Sequence, residues 1–494
     1  MQNTLSASAE DQALFRTPGV QSLFEQVRES AQLTGDGAVE LLDAARLRAE
    51  RIDRLVHASV FGEDADVRDT ARWIIGELAQ QIGIRPASIH DLYLARGRGE
   101  VVGFTVPAMN IRAATYDTGR ALFAAARELE VGALICEIAR SEIGYTDQRP
   151  AEYVAVLTAA AIKEGWRGPL FVQGDHFQLN AKKFKVDPRA EMQAVKDIIR
   201  EAMHAGFYNI DVDTSTLVDL SQAGLDAQQQ TNYRLSAELT AYVRHYQPDG
   251  VTVSVGGEIG EVGTENSTPE ELRAYMDGYN RELRRISDEQ GTPVDGLAKI
   301  SVQSGTTHGG TVLPDGTIAD VAIDFETLRT LSEIARREYG MSGAVQHGAS
   351  TLPAAAFDRF AEVETAEIHL ATNFQNIFYD HPAFPADLKE RMYEHCRQNF
   401  PDERKPADTE QQFLYKVRKK ALGAFKRELW EIPEESRAQI RETLREQFAF
   451  LFRKLQVDGT AETVSRIVAA PEVRRPGPAS LRMKAAADDW DLSD

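Results

Sequence analysis

The stretch of sequence that decides the fold runs from Pro169 to Ser215. It begins with Pro169-Leu-Phe-Val-Gln-Gly-Asp-His176, continues through the amphipathic segment Ala190–Gly206 and returns to Tyr208-Asn-Ile-Asp-Val-Asp-Thr-Ser215. A short apolar run that ends in polar residues, a segment with helical periodicity and a second such run are typical of two parallel strands joined by a helix.

The same alternation continues in both directions along the chain. Eight apolar segments have strand character, and segments with helical spacing separate them over about 270 residues. This pattern predicts an α/β fold, a (β/α)8 TIM barrel. An open doubly wound sheet is disfavoured, because the Gly-x-Gly-x-x-Gly fingerprint is missing after the first strand. The predicted strands are Phe104–Ile111, Ala133–Ile138, Leu170–Gln173, Tyr208–Asp213, Gly250–Gly257, Ala298–Gln303, Gly343–Gln346 and Ala366–Leu370.

The barrel is one of four predicted regions. Residues 1–97 are expected to form a helical N-terminal extension, 98–375 the barrel, 376–468 a helical C-terminal extension and 469–494 a loose acidic tail. In the first region no apolar run has strand character, and Gly83 ends its second helix. The helices predicted in the two extensions are Leu41–Val60, Asp66–Ile82, Asp387–Asn399, Gln411–Glu428 and Glu434–Leu455.

The amino-acid composition favours a globular protein and argues against several other classes. Of the 494 residues, 43% are hydrophobic and 27% are charged, as in a globular chain, and no run of about 20 apolar residues predicts a membrane span. The net charge of −20 disfavours a nucleic-acid partner, although a small anion could still bind a local cationic pocket. Two cysteines, Cys136 and Cys396, cannot form a disulfide scaffold, and no secretory signal is visible. A cytoplasmic location is therefore expected.

Three histidines occupy equivalent positions at predicted strand ends. His176 follows strand three, His308 follows strand six and His347 follows strand seven. Active sites of barrels lie at the carboxyl ends of the strands. Three neutral imidazoles and one open position are what a catalytic zinc ion requires, and they leave its full charge to polarise a substrate oxygen. We therefore predict a zinc site, with hydrogen-bonded loop histidines as the alternative.

Carboxylates accompany these histidines. Asp175 directly precedes His176 and is thus a candidate general base on geometry. Asp213 and Glu258 could bind a second divalent ion or orient the histidines. Solvated loop carboxylates are the alternative interpretation.

Small residues after the last three strands favour a bound phosphate. Such residues can expose backbone N–H groups, and barrels commonly bind phosphate with the loops after strands seven and eight. Glycines that only serve turns are the alternative. The candidate phosphate-binding residues are Gly309, Gly348, Ser350, Thr372 and Asn373.

Six short motifs follow one another between about Asp91 and Gln375. They are Val106-Pro-Ala-Met-Asn110, Gly174-Asp175-His176, Asp213-Thr-Ser215, Gly257-Glu258-Ile-Gly260, Thr307-His308-Gly309 and His347-Gly-Ala-Ser350. In content and order they resemble the class II, zinc-dependent fructose-bisphosphate aldolases and their tagatose-bisphosphate relatives. No single motif is decisive, but the ordered set on a barrel is specific.

The resemblance implies an activity. It implies a lyase of glycolysis and carbohydrate metabolism that cleaves fructose 1,6-bisphosphate to dihydroxyacetone phosphate and glyceraldehyde 3-phosphate through a metal-stabilised enediolate. Asp175 would exchange the proton of the C4 hydroxyl, and Asn110 matches a substrate-side polar position. A Schiff-base mechanism is disfavoured, because Lys299 lies at the start of strand six and the listed strand ends carry no lysine.

The resemblance also implies binding residues. The catalytic zinc ligands would be His176, His308 and His347, with Glu258 able to approach the metal. Asp213 and Glu258 are similar to ligands of a second divalent ion. The phosphate of the dihydroxyacetone phosphate half would contact Gly309, Gly348, Ser350 and Thr372.

The sequence departs from the family pattern in three places. Strand eight reads His369-Leu-Ala371-Thr372 where the family usually has Asn-x-Asp-Thr, and strand two carries Glu137 where relatives are less charged. The loop after strand five reads Glu265-Asn266, where the family has two adjacent acids and uses the second for proton exchange at the ketose C3 carbon. The resemblance therefore implies that this step falls to Glu265 or Glu261, or is slow. An aldolase for another phosphorylated or acidic sugar, or a non-catalytic barrel that binds metal and phosphate, therefore remains an alternative.

The expected partners are few. The substrate is a small phosphorylated sugar, and a homo-oligomer, a dimer or larger, is expected. The amphipathic C-terminal helices would bury their apolar faces on their own barrel or across a dimer. Basic residues at Lys416, Arg418, Lys419 and Lys420 could supply cations for the far phosphate, with a solvated helix face as the alternative.

Overall fold

The structure, a computed structural model, describes residues 17–35, 37–260, 265–305, 323–479 and 481. Within these residues eight parallel strands close into a barrel surrounded by helices, which confirms the predicted TIM-barrel fold with helical extensions. The barrel closes where its last strand pairs with its first, with His369 opposite Ala108. The strands are β1 (Val106–Asn110), β2 (Ile135–Ala139), β3 (Gly168–Gln178), β4 (Asn209–Asp213), β5 (Ser254–Glu258), β6 (Lys299–Ser301), β7 (Ala344–Gln346) and β8 (Glu367–Leu370).

The helices between the strands end where the sequence supplies caps. Helix Pro188–Ala205 follows Asp187, whose carboxylate accepts a hydrogen bond from the N–H of Ala190 at 3.0 Å, and it stops at Gly206, which has a φ of 107°. Among the described helices none is long and apolar enough to cross a membrane. The other helices of the barrel region are Thr115–Glu128, Arg140–Tyr145, Pro150–Glu164, Ala181–Val186, Leu225–Tyr246, Pro269–Gln290, Phe325–Tyr339, Asp358–Glu362 and Thr372–Asp380.

The N-terminal extension contains short strands as well as helices, so the expectation that it has no strand is wrong. Ala31–Leu33 and Val39–Leu41 form an antiparallel hairpin. Ile84–Ala87 pairs in parallel with the first four residues of β3, while β4 pairs with β3 only from Gln173 onward. The start of the long strand β3 would otherwise expose an unpaired edge. The helices of this extension are Pro18–Val27, Ala44–Arg46, Leu47–Arg51, Ile52–Phe61, Ala65–Ile82 and His90–Gly97.

The C-terminal extension packs on the barrel. Its segment predicted as one helix, Gln411–Glu428, is interrupted between Val417 and Lys426. Within this break Gly423 lies against the barrel: its N–H donates to the carbonyl oxygen of Tyr145 at 3.1 Å, and a Cβ there would lie 2.6 Å from the same oxygen. In the region expected to be a loose tail, Arg475 donates to the carbonyl oxygen of Ala205 at 2.6 Å, so this part of the tail lies against the barrel. The helices are Ala386–Asn399, Glu410–Val417, Lys426–Trp430, Glu434–Lys454 and Ala461–Ile467, with a 3-10 turn at Arg418–Ala421.

Candidate active site

A cavity of about 910 Å³ opens at the carboxyl ends of the barrel strands. Its strand-end residues include Asn110, Glu137, Asp175, His176, His347 and His369. The C-terminal extension forms another part of its wall with Lys405, Asp408, Gln412, Tyr415, Lys416 and Lys419. Two of the four predicted basic residues thus reach the cavity. The other two form ion pairs elsewhere, Arg418 with Asp380 at 2.9 Å and Lys420 with Glu403.

A β-bulge in β3 sets the direction of two site residues. Side chains alternate in direction along a regular strand, yet the consecutive residues Asp175 and His176 both line the cavity. The register of β3 against β4 shifts between Gly174 and Phe177. His176 has a φ of 41°, in the left-handed region that residues other than glycine seldom adopt. A Cβ on Gly174 would lie 2.5 Å from the ring of buried Phe177, so the bulge depends on glycine here.

The His176 ring contacts side chains from three other strands. Its Nδ1 lies 2.9 Å from Oδ2 of Asp213 on β4 and 3.3 Å from Oε2 of Glu258 on β5. Its Nε2 lies 3.0 Å from Nδ1 of His347, which follows β7. The second nitrogen of His347 lies 3.0 Å from Oγ of Ser301 on β6. The structure therefore brings together four of the five predicted metal-site residues.

The acids around His176 favour a positive charge at this position. Burial disfavours the imidazolium, but the carboxylates of Asp175, Glu258 and Asp213 outweigh it and raise the pKa of His176 well above its ordinary value. Burial also opposes ionisation of Asp213, whereas hydrogen bonds from His176 and Ser215 lower the pKa of Asp213. A metal ion bound to His176 would have to displace this proton, because an imidazole binds a metal only in its neutral form.

His176, Glu258 and His347 fit a divalent metal ion. Their ligand atoms all lie within 4.8 Å of one another. Ligands about 2.0–2.2 Å from a tetrahedral zinc ion stand roughly 3.3–3.6 Å apart, and imidazole and carboxylate groups are both zinc ligands. Asp213 already accepts hydrogen bonds from the N–H of Ser215 at 3.0 Å and the amide of Gln178 at 2.5 Å. Its contacts therefore favour a role in orienting His176 over a role as a separate metal ligand.

His369 on β8 belongs to the site, although it entered the sequence analysis only as a departure from the family pattern. Its Nδ1 lies 3.0 Å from Oε2 of Glu137 on β2 and 3.3 Å from Oδ1 of Asp175. Its ring centroid lies 3.9 Å from that of His347. The signal in the sequence was ionisable residues within two predicted strands, Glu137 in strand two and Glu367 and His369 in strand eight.

Below His369 the barrel interior carries a polar network that sequence reasoning missed. Barrel interiors are usually filled by branched apolar side chains. Here Nζ of Lys299 donates to Oε1 of Gln173 at 2.8 Å and to Asp211 at 3.0 Å, and it also contacts Glu367, which accepts from Tyr93. Burial disfavours the charged amine, but Asp211 and Glu367 raise the pKa of Lys299. Lys299 is thus a paired cation rather than a free nucleophile.

The predicted phosphate-binding residues lie on one side of the cavity. Gly348, Ser350 and Thr372 line it, and Oγ of Ser350 accepts hydrogen bonds from the N–H groups of Ala371 at 2.6 Å and Thr372 at 3.2 Å. Asn373 is a residue of helix Thr372–Asp380 and is not among the lining residues.

The side chain of Asn110 is linked to the predicted phosphate-binding residues through Glu142 and Arg112. Its Nδ2 donates to Oε2 of Glu142 at 2.6 Å, and Nη1 of Arg112 donates to Oε1 of the same carboxylate at 2.6 Å. Arg112 also donates to Oγ1 of Thr372 at 3.4 Å. Arg112 therefore links the Asn110 side of the cavity to the predicted phosphate residues.

Some predicted residues are not brought to the site. His308, Gly309 and Glu261 lie outside the described residues. Glu265 is exposed and is not among the residues that line the cavity. Its neighbour Asn266 donates to Oδ2 of Asp324 at 3.0 Å.

Comparisons with known proteins extend this description. A search of curated proteins found no match to this chain. Similar solved structures include the fructuronate–tagaturonate epimerase UxaE of Cohnella laeviribosi with one glycerol, 12% identical over 88% of this chain and 90% of that chain, with a TM-score of 0.54. A probable tagatose 6-phosphate kinase of Sinorhizobium meliloti 1021 is 16% identical over 72% of this chain and 100% of that chain, with a TM-score of 0.50. A fructose-bisphosphate aldolase of Campylobacter jejuni is 16% identical over 76% of this chain and 96% of that chain, with a TM-score of 0.46.

At these identities the structural likeness supports the fold alone, and the family comes from the sequence. The model of the family described as "Fructose-bisphosphate aldolase class-II" matches residues 98–429. The match spans all eight barrel strands and extends past residue 375 into the segment that carries Lys416 and Lys419. Because the match covers well over half of the 494 residues, the chain belongs to the class II fructose-bisphosphate aldolase family.

Proposed function

We propose that the chain is a metal-dependent aldolase, a lyase that cleaves and forms a carbon–carbon bond of a ketose bisphosphate. Fructose 1,6-bisphosphate, dihydroxyacetone phosphate and glyceraldehyde 3-phosphate are the reactants that the family implies. The observation that carries this proposal is the meeting of His176, Glu258 and His347 beside Asp175 in one polar cavity.

The metal site would consist of His176, Glu258 and His347, together with His308 as the family implies. Bound there, a zinc ion would act as a Lewis acid that stabilises negative charge on substrate oxygens. The contact between Asp213 and His176 would orient that imidazole and fix the nitrogen it presents to the metal.

Asp175 would take the proton of the C4 hydroxyl as the C3–C4 bond breaks and return it in the reverse direction. Burial opposes ionisation of Asp175, but positive charge on His176 and His369 holds the pKa of Asp175 below its ordinary value. The carboxylate is therefore ionised and able to accept a proton. Proton exchange at C3 is assigned to Glu265, which requires the loop after β5 to bring this side chain to the cavity.

Cations in the cavity wall would bind the phosphates. Nε of Arg112 is buried without a hydrogen-bond partner among the described residues. Burial, and then the charge of Arg112, lower the pKa of Lys419. Arg112 and Lys419 are thus neighbouring cations that repel each other, and a bound phosphate would stabilise the charge of both. One phosphate would contact the loops of Ser350 and Thr372, and the other would contact Lys419 and Lys416.

A second candidate is an enzyme of this family that acts on another phosphorylated or acidic keto sugar. His369 and Ala371 replace the asparagine and aspartate that the family usually has, and His369 lines the cavity beside Glu137. The epimerase of Cohnella laeviribosi is named for two keto sugar acids. A carboxylate could bind the same cations as a phosphate.

A substrate screen on the zinc-loaded protein tests both candidates. Fructose, tagatose and sedoheptulose bisphosphates would be assayed for release of dihydroxyacetone phosphate, and fructuronate and tagaturonate for epimer formation, with the His176→Ala variant as the inactive control. Cleavage of a bisphosphate supports the first proposal. Conversion of another sugar alone supports the second, and stoichiometric zinc with no conversion of any sugar supports the non-catalytic alternative.

A further inference from the structure

Helix Thr372–Asp380 carries a buried glutamine, Gln375, that the proposed function does not use. Gln375 lines the cavity and is 4% exposed. Its Oε1 is buried without a hydrogen-bond partner, and neither atom of its amide makes a hydrogen bond within the described part of the chain. Buried polar groups are nearly always hydrogen-bonded, so an unpaired amide in a cavity wall indicates a ligand.

Gln375 lies where the barrel meets the C-terminal extension. It is one helical turn after Thr372, so the two side chains lie on the same face of their helix. Oγ1 of Thr372 accepts a hydrogen bond from Nη2 of Arg112 at 3.4 Å. The next residue of the helix, Asn376, donates to the hydroxyl oxygen of Tyr415 at 2.9 Å. Gln375 is therefore positioned between Arg112 of the barrel and the extension.

Two cations face one carboxylate at this end of the cavity. Glu142 accepts a hydrogen bond from Nη1 of Arg112 at 2.6 Å, so the carboxylate balances the guanidinium. Nζ of Lys419 forms no ion pair or hydrogen bond with the residues that the structure describes, and it lies 5.9 Å from the centre of the Tyr145 ring. A half-buried ammonium group beside a guanidinium favours a bound anion.

Asn110 supplies a second hydrogen-bond acceptor in the same cavity. Because its Nδ2 donates to Glu142, its amide oxygen is directed away from that carboxylate. This oxygen is buried and has no partner among the described residues, and Asn110 lines the cavity. An amide oxygen accepts a hydrogen bond, and the amide of Gln375 can both accept and donate. A hydroxyl group is the neutral partner that suits both side chains.

We propose that Gln375 is a specificity-determining residue that binds the C5 hydroxyl of a keto sugar, while Arg112 and Lys419 bind an anionic group at C6. This inference rests on the proposed function of the cavity. A ketose bisphosphate carries that hydroxyl beside its C6 phosphate, and a keto sugar acid carries it beside its carboxylate. The dihydroxyacetone phosphate half has a carbonyl group at the corresponding position. Gln375 would therefore recognise the other half of the sugar.

Binding of small anions tests this inference without turnover. The zinc-loaded full-length protein would be titrated by calorimetry with glycerol 3-phosphate and with 3-hydroxypropyl phosphate, which lacks only the middle hydroxyl. A second pair, glycerate and 3-hydroxypropanoate, has a carboxylate in place of the phosphate. The wild type should bind the hydroxylated member of one pair about tenfold more tightly, because its analogue leaves the Gln375 amide unpaired. The pair that binds more tightly identifies the anion.

Matched variants locate this preference. Gln375→Met, which keeps the length of the side chain, should bind the two members of a pair with affinities that differ by less than about twofold. Arg112→Met should weaken binding of both members alike, because it removes a cation that contacts the anion. Gln398→Met, which changes an exposed glutamine outside the cavity, should retain the wild-type preference.

Equal binding of the two members by the wild type, no detectable binding of either pair, or a preference that Gln375→Met retains would overturn the inference. Circular dichroism shows whether Gln375→Met has folded. If it has not, Gln375→Asn, whose shorter amide cannot reach the same hydroxyl, decides the outcome. A preference for the hydroxylated anion without turnover of any sugar would contradict the proposed function and leave this inference intact. Turnover without that preference would contradict this inference and leave the proposed function intact.

Discussion

At the residue scale, the adjacent side chains of Asp175 and His176 are assigned different roles. His176 contacts two of the other predicted metal ligands, Glu258 and His347, whereas Asp175 contacts His369 and lines the cavity. Neighbouring substitutions should therefore fail in different ways, which separates a proton-transfer role from a metal-binding role.

Replacing Asp175 by Asn should leave the ion bound at His176–Glu258–His347 and reduce turnover by about 10²–10⁴-fold, because a positioned general base is lost. Replacing His176 by Ala should remove that ion as well as the activity. Zinc per chain, melting temperature and turnover would be measured for both variants. An active Asp175→Asn enzyme would show that this carboxylate does not transfer the proton.

The buried side chain of His90 predicts that the stability of the protein depends on pH. Burial, and then the charge of Arg244, lower the pKa of His90 to about 4. Its ordinary value is about 6.5, so the unfolded chain binds a proton between pH 6.5 and pH 4 that the folded chain does not. Stability should therefore fall as the pH decreases through this window. Between pH 7.5 and pH 5 the loss due to His90 should be about 2 kcal/mol.

Denaturant unfolding of the wild type and of His90→Gln at both pH values measures this loss. The wild type should be more sensitive to acid than the variant, whatever the variant's stability at pH 7.5. Equal losses in the two proteins would assign the acid sensitivity to other groups.

At the scale of single elements, the bulge in β3 is the feature on which the site depends. It allows Asp175 and His176 to line the same cavity, and it leaves no room for a Cβ at Gly174 against the ring of Phe177. The backbone of His176 is strained, with a φ of 41°, and the packing around the bulge holds it in this conformation.

Replacing Gly174 by Ala should lower the free energy of unfolding by about 1–3 kcal/mol and weaken metal binding, because the added methyl group displaces Phe177 and the bulge with it. Gly76→Ala is the matched control. Apart from the adjoining backbone of its own helix, nothing lies within 4 Å of a Cβ there, and alanine should stabilise helix Ala65–Ile82 by about 0.5–1 kcal/mol. Unchanged metal affinity in Gly174→Ala would mean that the bulge does not position His176.

The elements show what the sequence could and could not predict. All eight strands were predictable, because each is a short apolar run between segments with helical spacing. The strand Ile84–Ala87 was not, since it contains Arg85 and Pro86 and forms only because the start of β3 lacks a partner. The bulge was not predictable either, because it depends on a contact between Gly174 and Phe177 that no periodicity reports.

The same distinction applies to the site residues. Strand ends converge in any barrel, so the meeting of His176 with His347 and Glu258 could be expected once the strands were assigned. The contact between His369 and Glu137 joins side chains of β8 and β2 inside the barrel. Which side chains of a strand point inward, and at what height, follows from strand tilt and register, which the sequence does not report.

At the scale of the whole molecule, the C-terminal extension completes the cavity. Its segment from Lys405 to Lys419 contributes side chains to the wall, while Arg437 and Arg441 of helix Glu434–Lys454 pair with Asp117 of the barrel. The extension is therefore part of the candidate site as well as a packing layer. A homo-oligomer stays a prediction.

Replacing Lys419 by Met should raise the KM for a phosphorylated sugar by about 10–100-fold with a smaller effect on kcat, because the cation would bind the phosphate and not the reacting carbons. Lys420→Met is the matched control, since Lys420 pairs with Glu403 and does not line the cavity. Steady-state kinetics on both variants make the comparison. Equal KM values for Lys419→Met and the wild type would remove this residue from substrate binding.

The central claim is that a bound metal ion makes this barrel an aldolase. The most direct test follows release of dihydroxyacetone phosphate from fructose 1,6-bisphosphate by the purified protein as isolated, after chelation and after reloading with zinc. We predict cleavage by the zinc-containing protein, loss of activity that parallels loss of zinc, and recovery on reloading in the wild type but not in His176→Ala. Cleavage that persists in protein free of metal, or no cleavage by protein with its zinc bound, would contradict the account.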